Sequence, residues 1–169
     1  MAIEVLKKIT EKDACGILMK DKQQLSVVDI GEIKESTMKE NQYYCYVDFE
    51  MNDGTQFGVS YSFYLQDGLF KCGTSSKLYY LLKGFLDLNP LTDVGLTFDE
   101  SDIAEILENK KFIASVIVQS VGGKNYPYLV CEKVIEWIVA NVVWWWNPHH
   151  TNMMHIKITI MYIFVQSTI

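Results

Sequence analysis

The chain has 169 residues, of which 49% are hydrophobic and 21% are charged, a balance typical of a folded globular protein and not of a disordered one. This length suits one domain with an appendage. The formal net charge is −6 and every one of the 15 basic residues is lysine, which argues against bulk coating of duplex DNA and against guanine recognition by arginine. Any nucleic-acid site must therefore be a local patch.

The four cysteines are far apart and form no C-x-x-C pair, which excludes a zinc ribbon and a thioredoxin-type redox pair. They are Cys15, Cys45, Cys72 and Cys131. Residues 1–9 interleave charged and apolar side chains and so lack the core of a signal peptide. We expect a protein of a reducing cytoplasm with free, mostly buried thiols.

Residues 1–24 are predicted to form an N-terminal arm or a short helix, because Ile3, Leu6 and Ile9 have helical spacing. Residues 25–33 are rich in β-branched side chains and are predicted to be the first strand. Within it, Gly31 marks a bend or bulge of the kind that turns a barrel strand.

Residues 43–51 and 55–65 alternate with a period of two and predict a β-hairpin. The odd positions of both strands are apolar, so odd positions must face odd positions across the hairpin. A three-residue loop, 52–54, preserves this parity. It places Met51 opposite Thr55 and Gly54 at the left-handed position of a turn with a bulge.

The even positions of this hairpin place Tyr44, Tyr46 and Tyr64 on the face away from the core. Two interpretations stay open. Tyrosine is a good strand former that is stable when half exposed or beneath the N-terminal arm. Alternatively, the three rings are a stacking platform for nucleic-acid bases.

Residues 74–86 predict a helix with Thr and Ser as N-cap candidates and one apolar stripe, in which Gly84 weakens the last turn. Residues 99–108 predict a second, short helix with acidic residues in its first turns. Strands follow at 111–121 and 126–134, joined by 122–125, and Pro127 places the last strand at an edge or bulge. Residues 25–134 thus predict a mainly β domain, a five-stranded OB-like barrel with helices between strands 3 and 4.

Residues 135–169 form an apolar extension in which only Glu136 and Lys157 are formally charged. Its two apolar runs are each too short to span a bilayer, so no stable membrane insertion is expected. We predict a β-hairpin that completes the sheet or makes the protein a homo-oligomer. Membrane-surface association and an out-of-register extension without a specific function are the alternatives.

No catalytic motif, Walker loop or dinucleotide fingerprint occurs in the chain. His149, His150 and His155 are close in sequence, but no cysteine or carboxylate nearby completes a metal site. The sequence therefore predicts no enzyme, no cofactor and no bound metal.

OB folds bind oligonucleotides across strands 2 and 3 and the loops that follow strands 1 and 4. The predicted nucleic-acid-binding residues are the tyrosines and lysines of these elements and of the helix entrance: Tyr44, Tyr46, Tyr64, Lys39, Lys71, Lys77, Lys111, Lys124 and Tyr126. The alternative for each lysine is a merely solvated side chain.

Three short motifs support this interpretation: Ser75-Ser76-Lys77-Leu78 at a helix start, residues 110–116 at a strand start, and Gly123-Lys124-Asn125-Tyr126. Over residues 43–134 the chain resembles the small OB-fold single-stranded-DNA-binding proteins of phages and mobile elements. The resemblance implies non-specific binding of single-stranded DNA in phage replication or recombination. The alternative, favoured by the net acidity, is a viral interaction module that inhibits or docks on a host protein such as a defence nuclease; a phage protein is a further possible partner.

Overall fold

The computed structural model describes residues 7–86 and 94–135. These residues contain three helices and eight strands, in the order α1 (Glu11–Lys20), β1 (Gln23–Ile30), β2 (Lys34–Glu35), β3 (Gln42–Met51), β4 (Gln56–Gln66), β5 (Leu69–Cys72), α2 (Lys77–Leu86), β6 (Leu96–Phe98), α3 (Asp102–Leu107), β7 (Lys111–Val121) and β8 (Lys124–Ile135). The prediction of a mainly β fold is confirmed.

The strands form one antiparallel sheet in the order β6-β5-β4-β3-β1-β7-β8, with β2 paired to β3 beside this path. The predicted five-stranded barrel is not confirmed, because the sheet has eight strands and, among the described residues, no pairing of β6 with β8 closes it. Helices α2 and α3 do fall between β4 and β7, but the short strands β5 and β6 share that interval.

The register of the β3–β4 hairpin is as predicted. Phe49 lies opposite Phe57, and the Met51 amide donates to the Thr55 carbonyl at 2.8 Å. Gly54 has a φ of +82°, which is the left-handed conformation that glycine adopts without strain. The Asp53 carboxylate accepts from the Thr55 amide at 2.9 Å. Hydrogen bonds from the backbone and the side chain of Thr55 lower the pKa of Asp53.

Two local expectations are wrong. The register shift in β1 lies between Val27 and Asp29 instead of at Gly31, whose amide donates to the Tyr46 carbonyl at 2.8 Å. The β7–β8 connection is a two-residue turn, because Val121 lies opposite Lys124 and φ is positive at both Gly122 and Gly123. Two consecutive glycines at positive φ make the tight type I′ turn that matches the twist of a hairpin.

The inner face of the sheet packs as one hydrophobic core with α1, α2 and α3. At its centre the ring of Phe49 lies 5.5 Å from that of Phe57 and 5.9 Å from that of Phe112. Helix α1 adds Ala14 and Leu18 to this core. The predicted stripe of α2 is buried at Leu78, Leu81 and Leu82, so periodicity identified the correct face of that helix.

Helix α2 packs against both β4 and β8. The Ser76 hydroxyl accepts from the Tyr79 amide at 3.2 Å and caps its N-terminus. Near the other end, a Cβ atom on Gly84 would overlap the carbonyl oxygen of Cys131. Glycine is therefore required there for the close approach of helix and strand. The sequence predicted only that Gly84 weakens the last turn of the helix.

One edge of β4 is covered by the segment that precedes α1. The Gln56 amide donates to the Lys7 carbonyl at 2.8 Å, and the Ile9 amide donates to the Gln56 carbonyl at 2.9 Å. Further along the same strand, Lys77 donates to the Ser60 carbonyl at 3.2 Å. The segment before α1 and the first residue of α2 thus both bond to this edge.

The apolar extension beyond Ile135 lies outside the described residues, so its hairpin and its role in self-association stay predictions. Within the described residues, no helix combines the length and the apolarity needed to cross a membrane.

Candidate nucleic-acid interface

The predicted tyrosines share one outward face of the sheet, which we call the tyrosine face: Tyr44, Tyr46 and Tyr64. Across the β3–β4 ladder, Tyr44 lies opposite Ser62, Tyr46 opposite Ser60, and Tyr64 opposite Gln42. Tyr46 is 55% exposed and Tyr64 is 50% exposed. The strand alternation therefore brings together three aromatic side chains that are accessible to a ligand.

A shallow cleft of about 190 Å³ opens on the tyrosine face. The rings of Tyr44 and Tyr46 meet edge to face, with centroids 5.7 Å apart. The cleft is lined by uncharged side chains: Ser36, Gln42, Tyr44, Tyr46, Ser60 and Ser62. Such a lining offers aromatic contact and neutral hydrogen bonds, which suit a planar base.

Lysines stand on either side of this face. Lys34 in β2 lies opposite Tyr44, and Lys71 in β5 lies opposite Tyr64. Sequence reasoning predicted Lys71 but missed Lys34, because a strand of two residues has no readable alternation. Lys39 is exposed in the connection between β2 and β3, where its carbonyl accepts from the Gln42 amide at 3.4 Å.

The charge of Lys77 is bound within the protein. Its ammonium nitrogen lies 2.6 Å from a Glu11 carboxylate oxygen, 3.2 Å from the Ser60 carbonyl oxygen and 5.7 Å from the ring centroid of the core residue Tyr61. Three partners thus surround one charge between α1, α2 and β4, so Lys77 holds these elements together at the edge of β4.

The other end of the same outward face is acidic. Asp29 in β1 lies opposite Asp48 in β3, and Glu50 lies opposite Ser26. We call Asp29, Asp48 and Glu50 the acidic end. The predicted residue Lys111 is in this region: it belongs to β7 and lies opposite Ser26 of β1, on the other side of that strand from Glu50. The structure therefore does not bring Lys111 to the tyrosines.

Lys124 and Tyr126 lie near the tip of the β7–β8 hairpin, beyond the stretch of β7 that pairs with β1. Tyr126 is 43% exposed. β1 stands between β3 and β7 in the sheet, so these two residues are on a different part of the sheet from the tyrosine face.

This hairpin carries a second aromatic cluster that sequence reasoning missed. The ring of Tyr80 in α2 lies 5.5 Å from that of Tyr128, and the Lys83 ammonium lies 4.4 Å from the Tyr80 centroid. The Gln119 amide nitrogen donates to the Tyr80 hydroxyl at 2.8 Å. The signal was present in the pattern, since Tyr80 lies off the apolar stripe of its helix, but its partner strand was not predictable.

A larger cleft of about 390 Å³ lies beside α3 and the residues that follow β1. None of the predicted residues lines it. Its lining includes two carboxylates, Glu32 and Glu100, which disfavour a phosphate backbone.

The cysteines offer little nucleophilic chemistry. All four are buried, and burial raises the pKa of Cys15 and Cys45 to about 11 and that of Cys131 to about 12, so these thiols stay protonated at neutral pH. Across residues 7–86 and 94–135, no three His, Cys, Asp or Glu side chains are grouped as metal ligands.

Comparisons with protein-family models, with curated proteins and with solved structures gave no match.

Proposed function

We propose that this protein binds single-stranded DNA without sequence preference. The observation that carries the proposal is the tyrosine face, where Tyr44 and Tyr46 line an uncharged cleft, Tyr64 shares the same face, and Lys34 and Lys71 occupy the neighbouring register positions. Stacking on aromatic rings recognises any base, and single lysines contact phosphates as point charges. A duplex hides the faces of its bases, so an unpaired strand is the fitting ligand.

An OB-like arrangement fits this proposal. The β3–β4 hairpin that bears the tyrosines corresponds to the central ligand-binding strands of that fold. Contacts of α2 with both β4 and β8 support a barrel-like closure in which a helix fills the gap. A role in phage replication or recombination follows from the resemblance of residues 43–134 to phage single-stranded-DNA-binding proteins.

The test is a fluorescence-anisotropy titration of labelled oligo-dT at several salt concentrations. Replacing Tyr46 by alanine removes one stacking partner worth about 1–3 kcal/mol, so we expect affinity to fall by roughly five- to 150-fold. Tyr46→Phe is the matched control, because it retains the ring and should retain most of the affinity. Lys71→Ala should reduce the slope of log K against log salt by about 0.7, the value for one phosphate contact on a single strand.

Equal affinities of the wild type and Tyr46→Ala would contradict a stacking role for this face. Absence of wild-type binding at low salt would end the proposal as a whole.

A second candidate is a protein-docking module. The acidic end and the exposed apolar side chains Val118 and Val121 of the β7–β8 hairpin favour it, since both are features of protein-contact surfaces. This candidate predicts no salt-dependent binding of oligo-dT, so the same titration separates the two functions.

A further inference from the structure

The outward face changes sign over a short distance. Tyr46 and Asp48 are two residues apart in β3, so their side chains point the same way about 7 Å apart. Asp48 lies opposite Asp29, and Glu50 is the next residue of the same face. Three carboxylates therefore begin where the tyrosines end.

Glycine at position 58 lets this negative charge reach across β4. Gly58 lies opposite Asp48, and a Cβ atom on Gly58 would stand 2.7 Å from the Asp48 carboxylate oxygen Oδ1. The carboxylate thus leans into the space above β4 that any larger residue would fill. The negative charge of Asp48 therefore lies over both strands of the hairpin at this point.

The positive charges follow the other direction of the sheet. Lys34, Tyr44 and Ser62 are at successive register positions on β2, β3 and β4. One step further along the sheet, Tyr64 lies opposite Lys71. A line drawn across the strands from Lys34 to Lys71 passes over the uncharged cleft and the tyrosine face, with a cation at each end.

We propose that the bound strand crosses β2, β3, β4 and β5 between Lys34 and Lys71, and that the acidic end stops it from continuing along β3. This inference rests on the proposed function and adds the direction and the length limit of the site. The distance of about 7 Å is shorter than the Debye length of about 10 Å at 0.1 M salt, so Asp48 repels a phosphate that passes Tyr46.

The acidic end limits the length of the site and repels duplex DNA and other long polyanions from this face. Electrostatic repulsion of a wrong path gives specificity without any added contact. Asp29, Asp48 and Glu50 are in this sense specificity-determining residues, since none of them touches the bound strand.

The test compares wild-type protein with Asp48→Asn, Asp29→Asn and the double variant. Asparagine keeps the shape of the side chain and removes its charge. Asp13→Asn is the matched control, because Asp13 is an exposed residue of α1, a helix on the inner side of the sheet, and its replacement changes the net charge by the same amount. Thermal melts of all four variants check that they fold.

We expect Asp48→Asn to bind labelled oligo-dT about threefold more tightly at low salt, the effect of one unit charge at about 7 Å in water. Asp29→Asn should gain less, because Asp29 lies one strand further from Tyr46, and the double variant should gain more than either single variant. These gains should shrink as salt is raised. In a series of oligo-dT lengths, wild-type affinity should stop rising at a shorter length than that of the double variant.

Three results decide the matter. If wild-type protein binds oligo-dT but Asp48→Asn and Asp29→Asn bind it no better than Asp13→Asn, the path is wrong and the proposed function stands. If the wild type does not bind at all, the proposed function fails and this inference falls with it. Equal length dependence of the wild type and the double variant would also overturn the length limit.

Discussion

The β3–β4 hairpin has two faces of opposite character, formed by alternate residues of the same two strands. Its inward side carries Phe49, Phe57, Phe63 and Tyr61, none of which is more than 2% exposed. Its outward side carries the tyrosine face and the acidic end, where Tyr46 is 55% exposed. One strand alternation thus produces a packed layer and an accessible one, at a distance of a single residue.

This contrast separates stability from binding. Inward side chains are packed at the density of an organic crystal, so each lost atom leaves a cavity. Outward side chains contact solvent and few neighbours, so their replacement changes the surface and leaves the core intact. Substitutions on the two faces should therefore have different readouts, which the following variants test.

The largest effect is expected for Phe49→Ala. Phe49 is fully buried between Phe57 and Phe112, and truncation of a buried phenylalanine costs about 3–5 kcal/mol. Urea denaturation measures this loss. Tyr46→Ala is the outward control and should stay within about 0.5 kcal/mol of the wild type. Similar losses for both variants would break the contrast between the faces.

The helices allow the same comparison with two glycines. Gly84 in α2 abuts the Cys131 carbonyl, whereas a Cβ atom on Gly16 in α1 would meet nothing within 4 Å. We expect Gly84→Ala to destabilise the protein by about 1–3 kcal/mol, as overpacking does. Gly16→Ala should stabilise it by about 0.5–1 kcal/mol, because alanine is the better helix former. Thermal or urea unfolding of the two variants measures both effects. A gain in stability for Gly84→Ala would contradict the close packing of α2 on β8.

The smallest effect is expected for Tyr61→Phe. Tyr61 is fully buried, burial raises the pKa of its hydroxyl well above the usual value, and this hydroxyl has no hydrogen-bond partner among the described residues. Burying an unpartnered hydroxyl costs free energy, so its removal should leave stability unchanged or raise it by about 1 kcal/mol. A clear loss in urea denaturation would reveal a partner for the hydroxyl and make the inner face less purely apolar.

The long hairpin was predictable because its alternation runs over many residues. Ten apolar or tyrosine positions of β3 and β4 determined which residues face inward, and the Asn52-Asp53-Gly54 turn was consistent with that parity alone. The short strands β5 and β6 were not predictable. Their core residues Phe70 and Phe98 pack on Phe63, each with ring centroids 5.1 Å apart from it, but three or four residues give too short a pattern to distinguish a strand from a loop.

The candidate site was predictable where it depends on one strand and unpredictable where it depends on neighbours. Alternation alone placed Tyr44, Tyr46 and Tyr64 on one face. In the sequence, Lys77 and Lys71 are equally plausible as exposed lysines of the site, yet Lys77 is bound by Glu11 and Ser60. Its partners are far away in sequence, and side-chain periodicity carries no information about which distant elements a helix meets.

The segment Lys7–Ile9 that bonds to Gln56 has a consequence for the behaviour of the protein at high concentration. A strand edge with free amides and carbonyls is a template on which another molecule can add a strand, and this is a common start of aggregation. The two lysines at positions 7 and 8 bring charge to the margin of β4, and Lys77 occupies one of its carbonyls. The chain thereby protects the open edge of β4 from edge-to-edge association with other copies.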